Sequence, residues 1–574
     1  MAALSCIGEY SHANNYSKRI MALYFYATGA QRQAITVLST IGLTESYANL
    51  TSKNLKRHRK KKNPGELPLE DDLLLSESSD AVITHTGTLH QLSESMRAQA
   101  RQIAATGLYL VVYDNINIQL RTAEQIIGRH GWYFFFFTIV LLIYFSADSQ
   151  ENGTCATLVP LFDTHIEDLN VHDLQSHFLN AEPLSLADIL HSSEEAFNFK
   201  ENLIFTLLRI IIKHGGEGFK KFEKDLEKYQ PVSGYKIENH CTELFPLPAW
   251  QIDESSIIGN AEVDQAIVSE LQLDDVPESK DRVRFLAGDQ LSLARLRSLE
   301  VIRAGQEEGY HGFFWGAWIA GLFHAKIADA HGMLLTHFGL PNTGEQNPGS
   351  LWFHNTRLDR IPITLTSLPS FRVCRDLIYV SLYARALHCL VQVSGSPSLE
   401  EYLTDPNLTW DKLVEHARII YERFAQSSVV DDLRWKRRNA CGDEKAGDMI
   451  FENAVLFMRD ALISREFTDA IKASDSGHVV LVLKAWALSF RGNGRTKYAF
   501  EMLHLIHNIT KVWTKKMRYV VISPRLEVQV IIDNLLHRDI VLRNWIVNPT
   551  GNLNSGVELN ITQEHLNFWI KVRY

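Results

Sequence analysis

The chain has few cysteines, and none stands in a CxxC pair: Cys6, Cys155, Cys241, Cys374, Cys389 and Cys441 are scattered over 574 residues. That scatter excludes a zinc ribbon or a dense disulfide framework and predicts free thiols, buried at Cys374 and Cys389. An excess of positive charge is also missing. The formal charge is −9 and the pI is near 6.2, so nucleic acid would have to meet a local basic patch rather than the whole surface. The glycine pair in HGGEG, residues 214–218, has no strand before it and no lysine in the P-loop position, which reads as helix punctuation. No basic-then-apolar leader opens the chain, which gives an intracellular expectation. No internal repeat is evident.

Long apolar runs are absent with one exception, GWYFFFFTIVLLIYFSA at 131–147. Its 16 uncharged residues from Trp132 to Ala147 fall short of the roughly 20 of a spanning helix, and no basic cluster fixes an orientation. Three readings follow, in this order: a translated intron, a membrane span and a buried apolar insertion. The codons for Gly131-Trp132 and Phe145-Ser146 permit intron boundaries, and those around Met517 and His537 permit a second pair. Without residues 131–147 a polar connection would join two strands, as a wide hairpin needs.

What is present is a large core. Hydrophobic residues make up 45% of the chain, and its length predicts more than one domain. Two β-branched and aromatic runs end abruptly on an aspartate: LYLVVYDNIN, residues 108–117, on Asp114, and RFLAGDQLS, residues 284–292, on Asp289. Neighbouring strands could hold two such carboxylates close enough to share divalent ions, Mg²⁺ or Mn²⁺. The plainer reading is that each aspartate caps a turn or the following helix. TCATLVPLF, residues 154–162, predicts a strand pairing back on the first run. Pro246 and Pro248 predict a linker.

Periodicity predicts helices over residues 93–106, 194–214, 291–306 and 322–332, and through most of the C-terminal half. His324 and His331 are seven apart, two helical turns and too far for a paired zinc motif; His324 is placed near the acidic site with Lys326 as a secondary contact, and His331 is structural. Arg491, Arg495 and Lys497 open a helix carrying Glu501, where cations could meet a phosphate backbone. The plainer reading is a surface glutamate on a basic helix. A basic run that includes Lys60, Lys61 and Lys62 is a second phosphate-binding arm or a nuclear localisation signal, or else a solvated linker.

Several longer motifs carry a resemblance: YDNIN, FLAGDQLSLARLR, GLFHAKIADAHG, FMRDALISREF, ALSFRGNGRTKYAFEMLHLIHN, and NWIVNPTG followed by QEHLNFWIK. Together they resemble a family expanded in mushroom-forming fungi, domain of unknown function 6589, from about Tyr16 to the end. Members of that family look transposon-derived, similar to RNase H-like DDE transposases. The resemblance implies an α/β fold: an RNase H-like mixed sheet, large helical insertions and a mainly helical C-terminal half. It also implies Asp114 as first acid, Asp289 as second and Glu501 as third, with Asp460, Glu466, Asp475 and Glu564 as rivals. Residues 131–147 and 516–541 fall outside the family pattern.

The expected segments are 1–52 helical, 53–92 a charged linker, 93–164 the first part of the core, 165–275 a helical insertion and 276–345 the second part of the core. Residues 346–515 form a helical region, 516–541 a second insertion and 542–574 the C-terminal segment. The expected function is two-metal DNA strand transfer or cleavage in the nucleus, with DNA as partner and a second copy of the chain as a further candidate. The alternatives are a non-catalytic DNA-binding or scaffold remnant, and a single-pass membrane protein anchored through 132–147.

Overall fold

The computed structural model describes residues 16–28, 30–51, 55–57, 83–85, 87–121, 148–274, 276, 281–305, 309–341, 347–439, 448–513 and 537–571. Residues 131–147, most of 516–541 and the basic run with Lys60, Lys61 and Lys62 lie outside them, so the readings placed there stay as expectations. Helix α1 (Thr88–Thr106) ends on Gly107 at φ 74°, a left-handed cap that glycine adopts without a Cβ penalty, and the chain turns directly into β1 (Tyr109–Arg121). Strand β2 (Asp148–Pro160) pairs back on β1 antiparallel, with Tyr109 opposite Pro160 and Asp114 opposite Cys155. After α2 (Ser193–His214) comes the two-residue β3 (Phe245–Pro246), antiparallel to β2.

The expected proline linker is therefore corrected to a sheet edge. There Pro246 lacks only an N–H that an edge strand can spare. Helix α3 (Ile257–Glu270) leads to β4 (Arg284–Gly288), α4 (Gln290–Arg303), β5 (Gly316–Ala320) and α5 (Leu322–His337). The sheet order is β3-β2-β1-β4-β5, with β4 parallel to β1 and β5 parallel to β4. Only β2 runs against the others. Leu110 to Tyr113 and Phe285 to Ala287 are all buried, which is why both strands read as unbroken apolar runs rather than alternating ones.

Later helices include α6 (Phe371–Ser394), α7 (Trp410–Phe424), α8 (Met449–Lys472), α9 (Ser476–Gly492), α10 (Thr496–His507) and α11 (Leu559–Lys571). Among the described residues, α6 alone is long and apolar enough to cross a membrane. It packs against α2, α5, α7 and α8, as a core helix does. Cys155, Cys374 and Cys389 are buried free thiols and Cys241 an exposed one.

Candidate metal centre

The β1–β4 register brings the two aspartates together, with one correction to the expectation: Asp114 lies within β1, which runs on to Arg121, and not at its end. Val112 pairs with Ala287, so two residues further along each parallel strand lie Asp114 and Asp289, on the same face by the period of two. Asp289 also performs the plainer role, since its Oδ1 accepts from the Ser292 backbone N–H and hydroxyl, both at 2.8 Å, and caps α4. Neither reading excludes the other.

Two further elements complete the cluster. Helix α11 lies across β1 on a polar face, with Asn560, Gln563, Glu564 and Asn567 spaced three and four apart. Asn560 Oδ1 accepts from Phe323 N–H at 3.1 Å, Thr157 Oγ1 donates to Gln563 Oε1 at 2.7 Å, and Asn567 Nδ2 donates to Asp114 Oδ2 at 3.1 Å. Gly321 permits the approach: a Cβ there would meet Asn560 Nδ2 at 2.6 Å and the Gly288 carbonyl at 2.7 Å. Docked in this way, α11 sets Glu564 Oε1 3.3 Å from His324 Nε2. Ligand atoms of Asp114, His324 and Glu564 all lie within 4.8 Å of one another.

Glu254 arrives from an irregular segment. The segment before α3 adds to the β2 edge, with Thr154 and Trp250 exchanging backbone hydrogen bonds of 2.8 and 2.9 Å. That contact carries Glu254 beneath the sheet end, where it is only 3% exposed. Ser292 Oγ donates to Glu254 Oε1 at 3.2 Å, while Glu254 Oε2 has no hydrogen-bond partner among the described residues.

These carboxyls repel one another. Burial first, then the Glu564 and Asp289 charges, push Asp114 up to about 7 against the opposing pull of His324. Burial, Asp114 and Asp289 push Glu254 up to about 8. Burial alone would lower His324, but its hydrogen bond to Glu564 and the charges of Asp114, Asp289 and Glu564 outweigh it and raise the imidazole. A buried group of acids with an orphaned oxygen needs protons or a cation. Carboxylates with one imidazole suit a hard divalent ion such as Mn²⁺ or Mg²⁺.

The other residues singled out in the sequence are placed as follows. Glu501 lies outside the Asp114–His324–Glu564 group, ion-paired with Arg297 and only 3% exposed, and its charge is still felt from Asp289. Lys326 is committed to Glu558 at 2.8 Å, and His331 Nε2 faces the Pro369 carbonyl at 3.2 Å. Arg491 and Lys497 are exposed. Arg495 is partly buried, and its Nε and Nη2 have no partner among the described residues. Of the four rival acids Glu564 joins the cluster, and the other three are engaged elsewhere: Asp460 with His337 and Arg459, Glu466 with Thr206, and Asp475 with Ser233.

Glu254 had no signal in the sequence, since it stands in an irregular segment. For Glu564 there was one: four polar side chains at helical spacing in a helix otherwise rich in apolar residues.

The fold and site thus define a mixed α/β protein with an acid cluster at the end of a five-stranded sheet. The chain belongs to the family of unknown function DUF6589, whose match covers residues 178–574. Asp289, His324, Glu564 and Glu254 fall inside that match and Asp114 precedes it. No curated protein and no solved structure matches the chain.

Proposed function

We propose that this is a mobile-element-derived protein with an RNase H-like core that cleaves or transfers phosphodiester strands in DNA, using divalent cations held by Asp114, Asp289, Glu254 and Glu564. The convergence of Asp114, His324 and Glu564 from β1, α5 and α11 carries this reading. The RNase H-like assignment draws support from three features: a first acid on the central strand, a second at the end of its parallel neighbour and a third on a later helix. Glu564 takes the third position in this proposal because the Glu501 charge is already neutralised by Arg297.

Each side chain then has a part in the reaction. Asp114 lies on the central strand with its Oδ2 held by Asn567, and would be a shared ligand. Asp289 is held rigid by the α4 cap, and Glu254 offers its orphaned Oε2. His324 orients Glu564 or adds a nitrogen ligand. Arg491 and Lys497, exposed on either side of the turn between α9 and α10, offer cations to a phosphate backbone. When bound, the cations supply Lewis acidity, activating water or a 3′-hydroxyl and stabilising the leaving oxygen.

The test is Mn²⁺ titration by calorimetry beside cleavage of a labelled duplex, in the full chain and in Asp114→Ala, Glu564→Gln and Glu501→Gln. The expected result is loss of both binding and cleavage in the first two variants and retention of Mn²⁺ binding in the third. A folded protein that binds no Mn²⁺ overturns the metal reading and leaves DNA binding alone as the function to examine.

A further inference from the structure

The end of the sheet away from the acid cluster holds a cavity of about 290 Å³, bounded by the last turn of α1, the start of β1 and the segment joining α3 to β4. Tyr109, in its wall, precedes Asp114 by five residues on β1, a distance of about 16 Å. The volume suits a small ligand. Among the described residues the wall carries three guanidiniums, those of Arg101, Arg282 and Arg284, and no carboxylate. The rest is largely apolar, supplied by residues such as Ala104, Leu271, Leu273 and Val283. A cleft that combines charge of one sign with low-dielectric walls concentrates ligands of the opposite charge.

The three cations differ in what already answers them. Arg101 donates to the Glu270 carbonyl at 2.8 Å and to Glu270 Oε1 at 3.0 Å, sharing that carboxylate with Arg97. Arg284 is 7% exposed and lies over the Tyr310 and Trp315 rings, at 5.1 and 5.0 Å, with its charge acting on the buried Asp264. Arg282 has no such answer: its guanidinium makes no hydrogen bond and no ion pair among the described residues. It is held in place all the same, since it lies against the Gly107 backbone in the wall, where a Cβ would overlap Nη1. The Tyr109 hydroxyl stands nearby. Burial raises it, and the charges of Arg284 and Arg282 both oppose that rise. This hydroxyl has no hydrogen-bond partner among the described residues either, and both groups remain within reach of solvent. A cation and a hydroxyl donor at one cavity, with no acid in its wall, suit the oxygens of a phosphate or carboxylate, which a guanidinium binds through two parallel hydrogen bonds.

We propose that this cavity binds a small organic oxoanion, a phosphate ester or a carboxylate, with its charged head on Arg282 and the Tyr109 hydroxyl and its body against the apolar wall. Arg284, already engaged, adds its field from behind. The inference is independent of the metal reading, because no acid of the cluster lines the cavity.

Calorimetry on the full chain in EDTA keeps the two readings apart and tests this one. Phenyl phosphate and benzoate are titrated beside benzyl alcohol, a neutral molecule with a similar body. At least one of the anions should bind about tenfold or more tighter than the alcohol, and Arg282→Gln should weaken that binding by about tenfold or more. Tyr109→Phe, which removes the hydroxyl donor and keeps the ring, should weaken it severalfold. Arg438→Gln removes an exposed arginine outside the cavity and should change nothing. Because the Arg282 side chain has no partner to lose, its variant should melt with the parent; if it fails to fold, Tyr109→Phe decides the matter. Preference for phenyl phosphate identifies a phosphate ester as the ligand class, and preference for benzoate a carboxylate. The proposal is overturned if neither anion binds at millimolar concentration, if benzyl alcohol binds as tightly, or if Arg282→Gln leaves the affinity unchanged.

Discussion

Glu254 illustrates how one residue can be neutral in one condition and costly in another. Burial and its neighbours Asp114 and Asp289 raise it to about 8, so at pH 4 it is mostly protonated in the folded and the unfolded chain alike, and Glu254→Gln should leave the melting temperature of the metal-free protein nearly unchanged. Above that the unfolded chain releases the proton while the folded chain keeps it up to about pH 8, so at pH 8 the amide should be the more stable by about 1 kcal/mol or more. Thermal melts of both proteins in EDTA at the two pH values check this. The same substitution should weaken Mn²⁺ binding by about tenfold.

Buried acids away from the cluster set a second pH dependence. Burial pushes Asp329 to about 7, and pushes Asp264 to about 6 against the opposing hydroxyl of Tyr310. Both folded values exceed the unfolded carboxylate value, so the folded state holds the extra protons. The stability these acids contribute is complete below about pH 4 and is lost as pH rises through 6 and 7. His504 acts in the other direction, pushed down to about 4 by burial and then by Arg297 and His507. Its contribution is present above about pH 6.5 and lost as pH falls through 4. Urea unfolding should therefore give maximal stability on the acid side of neutrality, with a decline from pH 6 to 8 that Asp329→Asn reduces.

At the scale of elements, the docking of α11 decides whether a third acid reaches the sheet. Gly321→Ala would drive a methyl group into Asn560 and the Gly288 carbonyl. We expect a melting temperature lower by a few degrees and a larger loss of Mn²⁺ affinity, because the helix must shift with Glu564 aboard. Gly492→Ala is the control, since its added Cβ meets nothing within 4 Å in a helix; it should be neutral or slightly stabilising.

The strands leading to Asp114 and Asp289 were legible because Leu110 to Tyr113 and Phe285 to Ala287 are buried, which writes a continuous apolar run; the continuation of β1 past Asp114 to Arg121 was not, because polar residues interrupt the run there. Strand β2 and most of the helices were legible for similar reasons of period. Helix α11 was recognisable as a helix, but its contact face is polar: Asn560, Gln563 and Asn567 meet backbone and side-chain groups where periodicity expects leucine. A polar face reads as solvent-facing, which left Glu564 among several rivals and gave Glu501 precedence. Glu254 depends on a two-residue bridge to β2, and β3 on two residues, one of them proline. Contacts that short leave no pattern in a single sequence.

Across the whole molecule, the cluster joins elements far apart in the chain, so a ligand that holds it should hold the fold. Mn²⁺ at about one hundred times its dissociation constant contributes about 2.7 kcal/mol to the folded state. Scanning fluorimetry should show a rise of a few degrees on replacing EDTA with Mn²⁺, and no rise in Asp114→Asn.

The Asn567–Asp114 hydrogen bond also has a meaning in time. Its two residues are separated by 453 positions, which at ordinary rates of synthesis is an interval of roughly 20 to 90 seconds on the ribosome. Throughout that interval the nascent polypeptide carries Asp114 without α11 or Glu564. Assembly of the acid cluster is thereby deferred until α11 has been synthesised, and a product terminated before α11 retains the sheet without its closing helix.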